Sequence, residues 1–386
     1  MKLDCQKDKF RLPEGEHYLN CAYMSPLMKD VEEVGIASIQ LKRAPSNISP
    51  QDFFDDSDIL RNEFSRLINN NEPERIAIMP SVSYGIATIA RNTSLNKGHN
   101  IVVVGEQFPS NYYSWERLAR DNQAHLVVVQ PPVDFKHRGK MWNEAILESI
   151  NDKTAIVALG HVHWADGTLF DLVAIRKKAR TVGAKLIIDG TQSVGALPFD
   201  IQEIQPDALI CAGYKWLMGP YSIALGWFGP SFDQGIPLEE NWINRKNSEN
   251  FAGLVNYEPD YQPGALRYDS GEHSNFILVP MMVRALQQLN NWGVENIQNY
   301  CKSISKDTIT KLKENGFLVE DEAWRGGHLF GIRVPEGMDF KILKESLERN
   351  KISVSVRGSA IRVAVNIYND ESDLQKLFKS CMEAIK

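Results

Sequence analysis

Seven short runs between residues 75 and 228 are apolar at odd and even positions alike: Arg75–Met79, Asn100–Val104, His125–Val129, Ala155–Leu159, Lys185–Ile188, Ala208–Ala212 and Ser222–Phe228. A strand with one wet face alternates apolar and polar residues, whereas a strand covered on both faces does not. Each run is four to seven residues long and rich in Ile and Val, so the pattern predicts buried strands of a mostly parallel sheet. Between the runs the period changes to that of a helix. Over Asp171–Val182, Leu172, Ile175, Ala179 and Val182 fall on one face, with Asp171 placed to cap the first turn and Gly183 to end the last. Tyr112–Arg120 and Trp142–Ile150 have the same character. Strands and helices alternating in this way predict a large, doubly wound α/β domain whose ligands sit beyond the carboxyl ends of its strands.

The character changes near residue 265. Helical patterns fill about 278–292 and 296–315, followed by strand-like runs at Phe317–Glu320 and His328–Val334 and a helix at about 339–349. Strand-like runs at Ile352–Val356 and Ile361–Val365 and a last helix from Asp370 complete the chain, which predicts a smaller α+β domain at the carboxyl end. Asn256–Gly264, with Pro259 and Pro263, reads as loop. The expected organisation is an amino-terminal segment, 1–30, packing with the small domain, then a large domain over 31–265 and a small one over 266–386.

Composition narrows the function classes. The chain has 386 residues, 43% hydrophobic and 24% charged, ample for a sizeable core. Its net charge of −6 offers no basic footprint for nucleic acid. No apolar run approaches the roughly 18 residues of a membrane helix. The first twenty residues carry charges throughout and no signal-like apolar stretch. The five cysteines are scattered with no Cys-x-x-Cys pair, and the eight histidines show no metal-binding spacing, His161 and His163 being only two apart. These features predict a reduced, cytoplasmic protein without a metal.

The ends of the apolar runs carry the candidate chemistry. Lys185–Ile188 leads into Asp189-Gly190-Thr191-Gln192, and the next run, Ala208–Ala212, leads into Gly213-Tyr214-Lys215-Trp216. A carboxylate and a lysine at neighbouring strand ends are what a pyridinium cofactor needs: one keeps the ring nitrogen protonated, the other forms a Schiff base with an aldehyde. Taken alone, Asp189 serves equally well as a turn residue and Lys215 as a solvated surface lysine. The apolar neighbours Trp216, Leu217 and Met218 argue against solvation of Lys215. A third segment, Pro80-Ser81-Val82-Ser83-Tyr84-Gly85-Ile86, follows a strand and opens a helix, where free N–H groups and the Ser83 hydroxyl suit a phosphate.

Seven segments, in order along nearly the whole chain, resemble the class V aminotransferase family of pyridoxal-phosphate enzymes, the fold-type I group that includes cysteine desulfurases, isopenicillin-N-epimerase-like proteins and kynureninases. They are Tyr18-Leu19-Asn20, Ser81–Ile86, Glu106–Asn111, Asp189–Gln192, Tyr214-Lys215-Trp216, Arg267–Gly271, and Ile361-Arg362-Val363 with Tyr368-Asn369. The resemblance implies pyridoxal 5'-phosphate on Lys215, with Asp189 at the ring nitrogen, Gln192 at the ring hydroxyl and Phe108 stacked on the ring. It also implies Val82, Ser83 and Tyr214 at the phosphate, Arg362 on the substrate carboxylate, Asn20 on the substrate side, and a homodimer whose sites borrow residues across the interface. Three positions depart from the family. Glu272 replaces a threonine that reaches the neighbouring subunit's phosphate, so Ser274 or Asn275 is expected to serve instead. Trp164 replaces an asparagine of the desulfurases. Only Gly358, Ser359 and Ala360 separate Arg357 from Ile361, and no cysteine lies between Cys301 and Cys381, so desulfurase chemistry is not expected.

The function that follows is turnover of an amino acid or related amine, with Lys215 moving the α-proton in a transamination. A lyase or an epimerase is the alternative, with His161, His163 or Tyr23 as the extra acid that elimination or carbon–carbon cleavage would need. A nucleotide-dependent dehydrogenase is disfavoured by the lack of a Gly-x-Gly-x-x-Gly turn after any strand. A non-catalytic cofactor-binding relative is disfavoured by the presence of both Lys215 and Asp189.

Overall fold

The doubly apolar runs become one seven-stranded sheet. The computed structural model describes residues 3–335, 338, 340–357 and 360–385. Its amino-terminal part contains β1 (His17–Tyr18), α1 (Lys29–Leu41), α2 (Asp55–Leu67), β2 (Ile76–Met79), α3 (Val82–Arg91), β3 (Asn100–Val104), α4 (Tyr113–Asp121) and β4 (His125–Val129). Next come α5 (Arg138–Ser149), β5 (Thr154–Gly160), α6 (Leu172–Thr181), β6 (Lys185–Asp189), α7 (Ile201–Ile204), β7 (Ala208–Ala212) and β8 (Ala224–Phe228). The remainder is α8 (Leu278–Trp292), α9 (Val294–Glu314), β9 (Leu329–Arg333), α10 (Phe340–Arg349), β10 (Ile352–Ser353), β11 (Ser355–Arg357), β12 (Ala360–Ala364) and α11 (Glu371–Glu383).

The sheet order is β2-β8-β7-β6-β5-β3-β4, parallel except for β8, which runs against both of its neighbours. Successive residues of these strands go to two separate cores. Val102, Val157, Leu186, Ile188 and Leu209 belong to one, and Ile101, Val103, Ile156, Ile187 and Ile210 to the other. Both parities are therefore apolar because both faces are covered. Helix α6 forms as its pattern predicts: the Asp171 carboxylate accepts the Ala174 N–H at 2.9 Å, and Gly183 follows with φ +74°. The chain order turns back between β3 and β5, so the segments leaving these strands diverge and open a crevice at the carboxyl edge.

The structure departs from the expected elements in four places. Helices α1 and α2 are not anticipated by the pattern. They pack on α8, and at Gly35 an added Cβ would lie 2.7 Å from the Met281 sulfur. Phe317–Glu320 is not a strand; Leu318 makes one antiparallel bridge to Arg333, then the chain turns so that the Glu320 carboxylate accepts the Gly139 N–H in the first turn of α5. Ile352–Val356 divides, because β10 pairs in parallel with β1 while β11 pairs with β12. The run Ser222–Phe228 starts its strand only at Ala224, since Ser222 has φ +67°. Residues 339, 358 and 359, at the start of one expected helix and in the short loop after Arg357, lie outside the described residues.

Candidate active site

A cavity of about 300 Å³ opens at the carboxyl edge of the sheet. Val82, Ser83, Phe108, Asp189, Gln192, Tyr214 and Lys215 all line it, although they come from four loops. Asp189 is the last residue of β6, where its carboxylate accepts the Thr191 N–H at 3.0 Å. Gly190 makes the turn possible, because a Cβ there would lie 2.7 Å from the Cys211 sulfur. After β7 the backbone closes on itself through Gly219 N–H to Gly213 O at 2.8 Å and Met218 N–H to Lys215 O at 3.1 Å. Trp216 beside it is fully buried, and its indole N–H donates to Gln192 Oε1 at 2.8 Å. Lys215 is thus held on a fixed loop with only 7% of the residue exposed.

Lys215 makes no hydrogen bond or ion pair among the described residues; its ammonium lies 5.4 Å from the centre of the Phe108 ring and 5.5 Å from that of Tyr214. Burial lowers its pKa to about 8, with Asp189 opposing and the Arg362 and Arg357 charges assisting. Burial also raises the pKa of Asp189, which Thr191 and Lys215 only partly offset. At the other end, Ser81 caps α3 by accepting the Tyr84 N–H at 3.1 Å. The Val82 and Ser83 N–H groups of the first turn remain free among the described residues and border the cavity. Phe108 packs edge-on against Trp164 at 5.4 Å, joining the segments that leave β3 and β5.

Three expected residues stand outside this cavity. The Arg362 side chain is fully buried one residue behind the wall: Nη1 donates to the Trp164 carbonyl at 2.8 Å and Nη2 to Ser355 Oγ at 3.3 Å. Asn20 is a further step removed, its carboxamide oxygen accepting the Ser355 hydroxyl at 2.8 Å, so it supports Arg362 rather than lining the cavity. Asn275 is not brought to the cavity of its own chain. Its carboxamide oxygen accepts the Ile277 and Leu278 N–H groups at the start of α8, and it borders a separate groove with Glu272 and Ser274. His161 and His163 are also absent from the cavity lining. His163 faces Asp166 at 3.2 Å, and burial pushes His161 down to about 3.

The family model for aminotransferase class-V matches residues 50–377. The chain belongs to this family. A Bacillus subtilis protein described as the uncharacterized aminotransferase YcbU is 27% identical over 83% of this chain and 81% of its own. Isopenicillin N epimerase of Streptomyces clavuligerus is 20% identical over 82% of this chain and 81% of its own. Among solved structures, a C-DES mutant with glycine covalently linked to its PLP cofactor superposes with a TM-score of 0.84, at 17% identity, over 97% of this chain and 98% of the other. Class V relatives thus span aminotransferase, epimerase and cysteine desulfurase names. The fold is that of the fold-type I enzymes, and the cofactor is pyridoxal 5'-phosphate.

The residues of this class V chain fit that cofactor. Among the described residues, an unpartnered buried amine, a buried carboxylate with no cation within 4 Å, and two free N–H groups at a helix start are the groups its aldehyde, ring nitrogen and phosphate require. Sequence reasoning missed several residues of the lining. Thr191, whose hydroxyl accepts the Ala212 N–H at 3.2 Å, ties β6 to β7 beneath the cavity and was signalled only by lying two positions after Asp189. Tyr221 enters through a loop with no periodic signal, and Ser222 through the start of a run expected to be strand.

The depressed amine has a measurable consequence. Only a neutral amine attacks an aldehyde, so trapping of Lys215 by pyridoxal phosphate and borohydride should rise about tenfold per pH unit and level off near pH 8. Surface lysines should keep rising toward about 10.4. Peptide mass spectrometry of the cofactor-free protein across pH 6–11 reads both, and a Lys215 curve coincident with the surface curves refutes the assignment.

Proposed function

We propose that this protein is a pyridoxal-phosphate-dependent aminotransferase that acts on an amino acid and works as a homodimer. The observation that carries the reading is the pairing of an unpartnered amine on Lys215 with a buried guanidinium on Arg362 that has no carboxylate within 4 Å among the described residues. An isolated buried cation is costly. A substrate α-carboxylate removes that cost through a bidentate contact.

Pyridoxal phosphate, when bound, supplies an electron sink for charge developing at the substrate's α-carbon. The chain's residues supply the rest. Asp189 holds positive charge at the ring nitrogen, and the α3 N-terminus with Ser83 holds the phosphate. Phe108 covers one side and excludes water. The second N–H of the Gln192 amide, beyond the one given to Ala22 O at 3.1 Å, is left for the ring hydroxyl. The Lys215 amine would be the group that takes and carries the substrate's α-proton.

Transamination is favoured over elimination because the titratable side chains of the cavity lining are Asp189, Tyr214, Tyr221 and Lys215 alone. The two tyrosines pack on each other, with ring centres 4.5 Å apart. His161, His163 and Tyr23, expected as an extra acid, are not in the lining, and Tyr23 is exposed. The dimer is supported by the groove of about 530 Å³ that holds Asn275, where Ile39, Leu41 and Trp242 expose 59%, 43% and 39% of their surface.

A panel of amino acids added to the purified, cofactor-loaded protein tests the reaction. Conversion of the bound cofactor to its amine form, seen in the visible spectrum and reversed by a keto acid, is the expected result. Ammonia release would make the protein a lyase, and solvent-deuterium incorporation with inversion but no keto acid would make it an epimerase.

A further inference from the structure

The strands β11 and β12 are antiparallel, with Ser355 opposite Arg362 and Arg357 opposite Ala360. Opposed residues share a face, and so do residues two apart on one strand. Arg357 and Arg362 therefore leave the same face of the hairpin as diagonal neighbours. Both reach Trp164, which also lines the cavity that holds Lys215. Arg362 donates to its carbonyl at 2.8 Å, and the Arg357 guanidinium lies 5.3 Å from the centre of its ring.

Two guanidiniums on one residue repel each other. Arg357 helps lower Arg362, whose pKa falls to about 10 chiefly through burial, and it acts on Lys215 in the same sense. A structural pair of arginines ordinarily holds a carboxylate between them. Here no Asp or Glu side chain lies within 4 Å of either among the described residues, and the Nε–H of each is buried without an acceptor. Among the described residues the acceptor for the Arg357 fork is the carbonyl of its neighbour Val356, at 2.8 Å. Two other buried arginines of the chain are paired with acids, Arg61 with Asp269 and Arg138 with Asp166, whereas Arg325 is held by the Glu320 and Gly326 carbonyls. One α-carboxylate satisfies one fork and leaves the other.

We propose that Arg357 is a second carboxylate-binding residue, so that the preferred substrate is an amino acid with an acidic side chain, its α-carboxylate on Arg362 and its distal carboxylate on Arg357. This rests on the amino-acid reading above and adds the substrate class. Diagonal neighbours on a ladder stand roughly 7–8 Å apart at their Cα atoms. That spacing suits a diacid with two or three carbons between its carboxylates, each on its own fork, better than a single carboxylate shared by both.

The test uses unreactive acids with the cofactor-loaded protein, so that binding is read without turnover. Calorimetric titration with succinate and glutarate should give affinities at least ten times those of propionate and butyrate. Arg357→Gln should reduce the diacids to the monoacid level and leave the monoacids unchanged, with Arg357→Lys restoring part of the difference. The unchanged absorbance of the bound cofactor serves as the folding control. Equal loss for diacids and monoacids would mean that Arg357 only shares the α-carboxylate, and equal binding of both in the wild type would mean that it binds no second acid. Either result overturns the proposal. In the amino-acid panel, conversion by leucine or alanine as efficient as by aspartate or glutamate refutes the substrate class and leaves the aminotransferase reading intact. Conversion by no amino acid, with diacid preference still dependent on Arg357, refutes the reaction and keeps the two-arginine site.

Discussion

Lys215→Ala should yield a folded protein that takes up pyridoxal phosphate reversibly and turns over no amino acid. The side chain makes no hydrogen bond to any described residue, so its removal breaks no network. Loss of a positioned base costs about 10²–10⁴ in rate, and loss of the covalent anchor adds to this, so kcat should fall by at least about 10³. Borohydride reduction followed by mass spectrometry should leave the cofactor on the wild-type chain and none on the variant. Stability should move the other way. The folded-state pKa of Lys215, near 8, lies below its unfolded value, so between those values the unfolded chain binds more protons. Burial of the charged amine therefore costs stability below pH 8, a cost relieved as pH rises through 8 toward about 10.4. The cofactor-free variant should melt no lower than the cofactor-free wild type at pH 7 and lose that advantage near pH 10. Retained turnover by the variant would remove Lys215 from the chemistry altogether.

Asp189→Asn should separate activity from stability more sharply still. The amide keeps the shape and the Thr191 contact but supplies no charge to the ring nitrogen, so kcat should drop by roughly 10²–10³, the scale for losing one preorganised electrostatic contact. In the cofactor-free protein the carboxyl group has a raised pKa because burial disfavours its ionised form. A raised acid contributes stability only while protonated, and that contribution is lost as pH rises from the unfolded value through the folded one. Ionising the buried carboxyl group is thus a burden to the cofactor-free fold, and Asn removes it. Calorimetric melting should show Asp189→Asn above wild type without cofactor and below it with cofactor bound. An unchanged order in the two states would show that Asp189 does not meet the cofactor.

The strands and their partners in the site were legible to different degrees. Runs such as Ile101–Val104 and Leu186–Ile188 announce burial on both faces because each parity must be apolar, a constraint that acts residue by residue. Helix α6 was equally plain, since its cap, its face and its terminating glycine are all local. Helix α1 was not, because it buries only Val31 and Gly35 and leaves Ile36 and Ile39 exposed. The division of Ile352–Val356 was also hidden: β10 is held by the distant His17–Tyr18, and no property of its own residues names that partner.

The sequence by itself determined the alternation of buried strands and amphipathic helices, the placement of Asp189 and Lys215 at adjacent strand ends, and the helix start after Ser81. These follow from near-neighbour patterns. Only the tertiary structure decided what faces what. It reversed β8, turned His163 toward Asp166, set Asn275 in a separate groove, and brought both Arg362 and Arg357 to Trp164. Such outcomes depend on contacts between segments tens to hundreds of residues apart, such as Ser355 with Asn20, and no local periodicity encodes them. The charge balance of the site belongs to the same class, because the lowered pKa values of Lys215 and Arg362 arise from burial that exists only once the chain has folded.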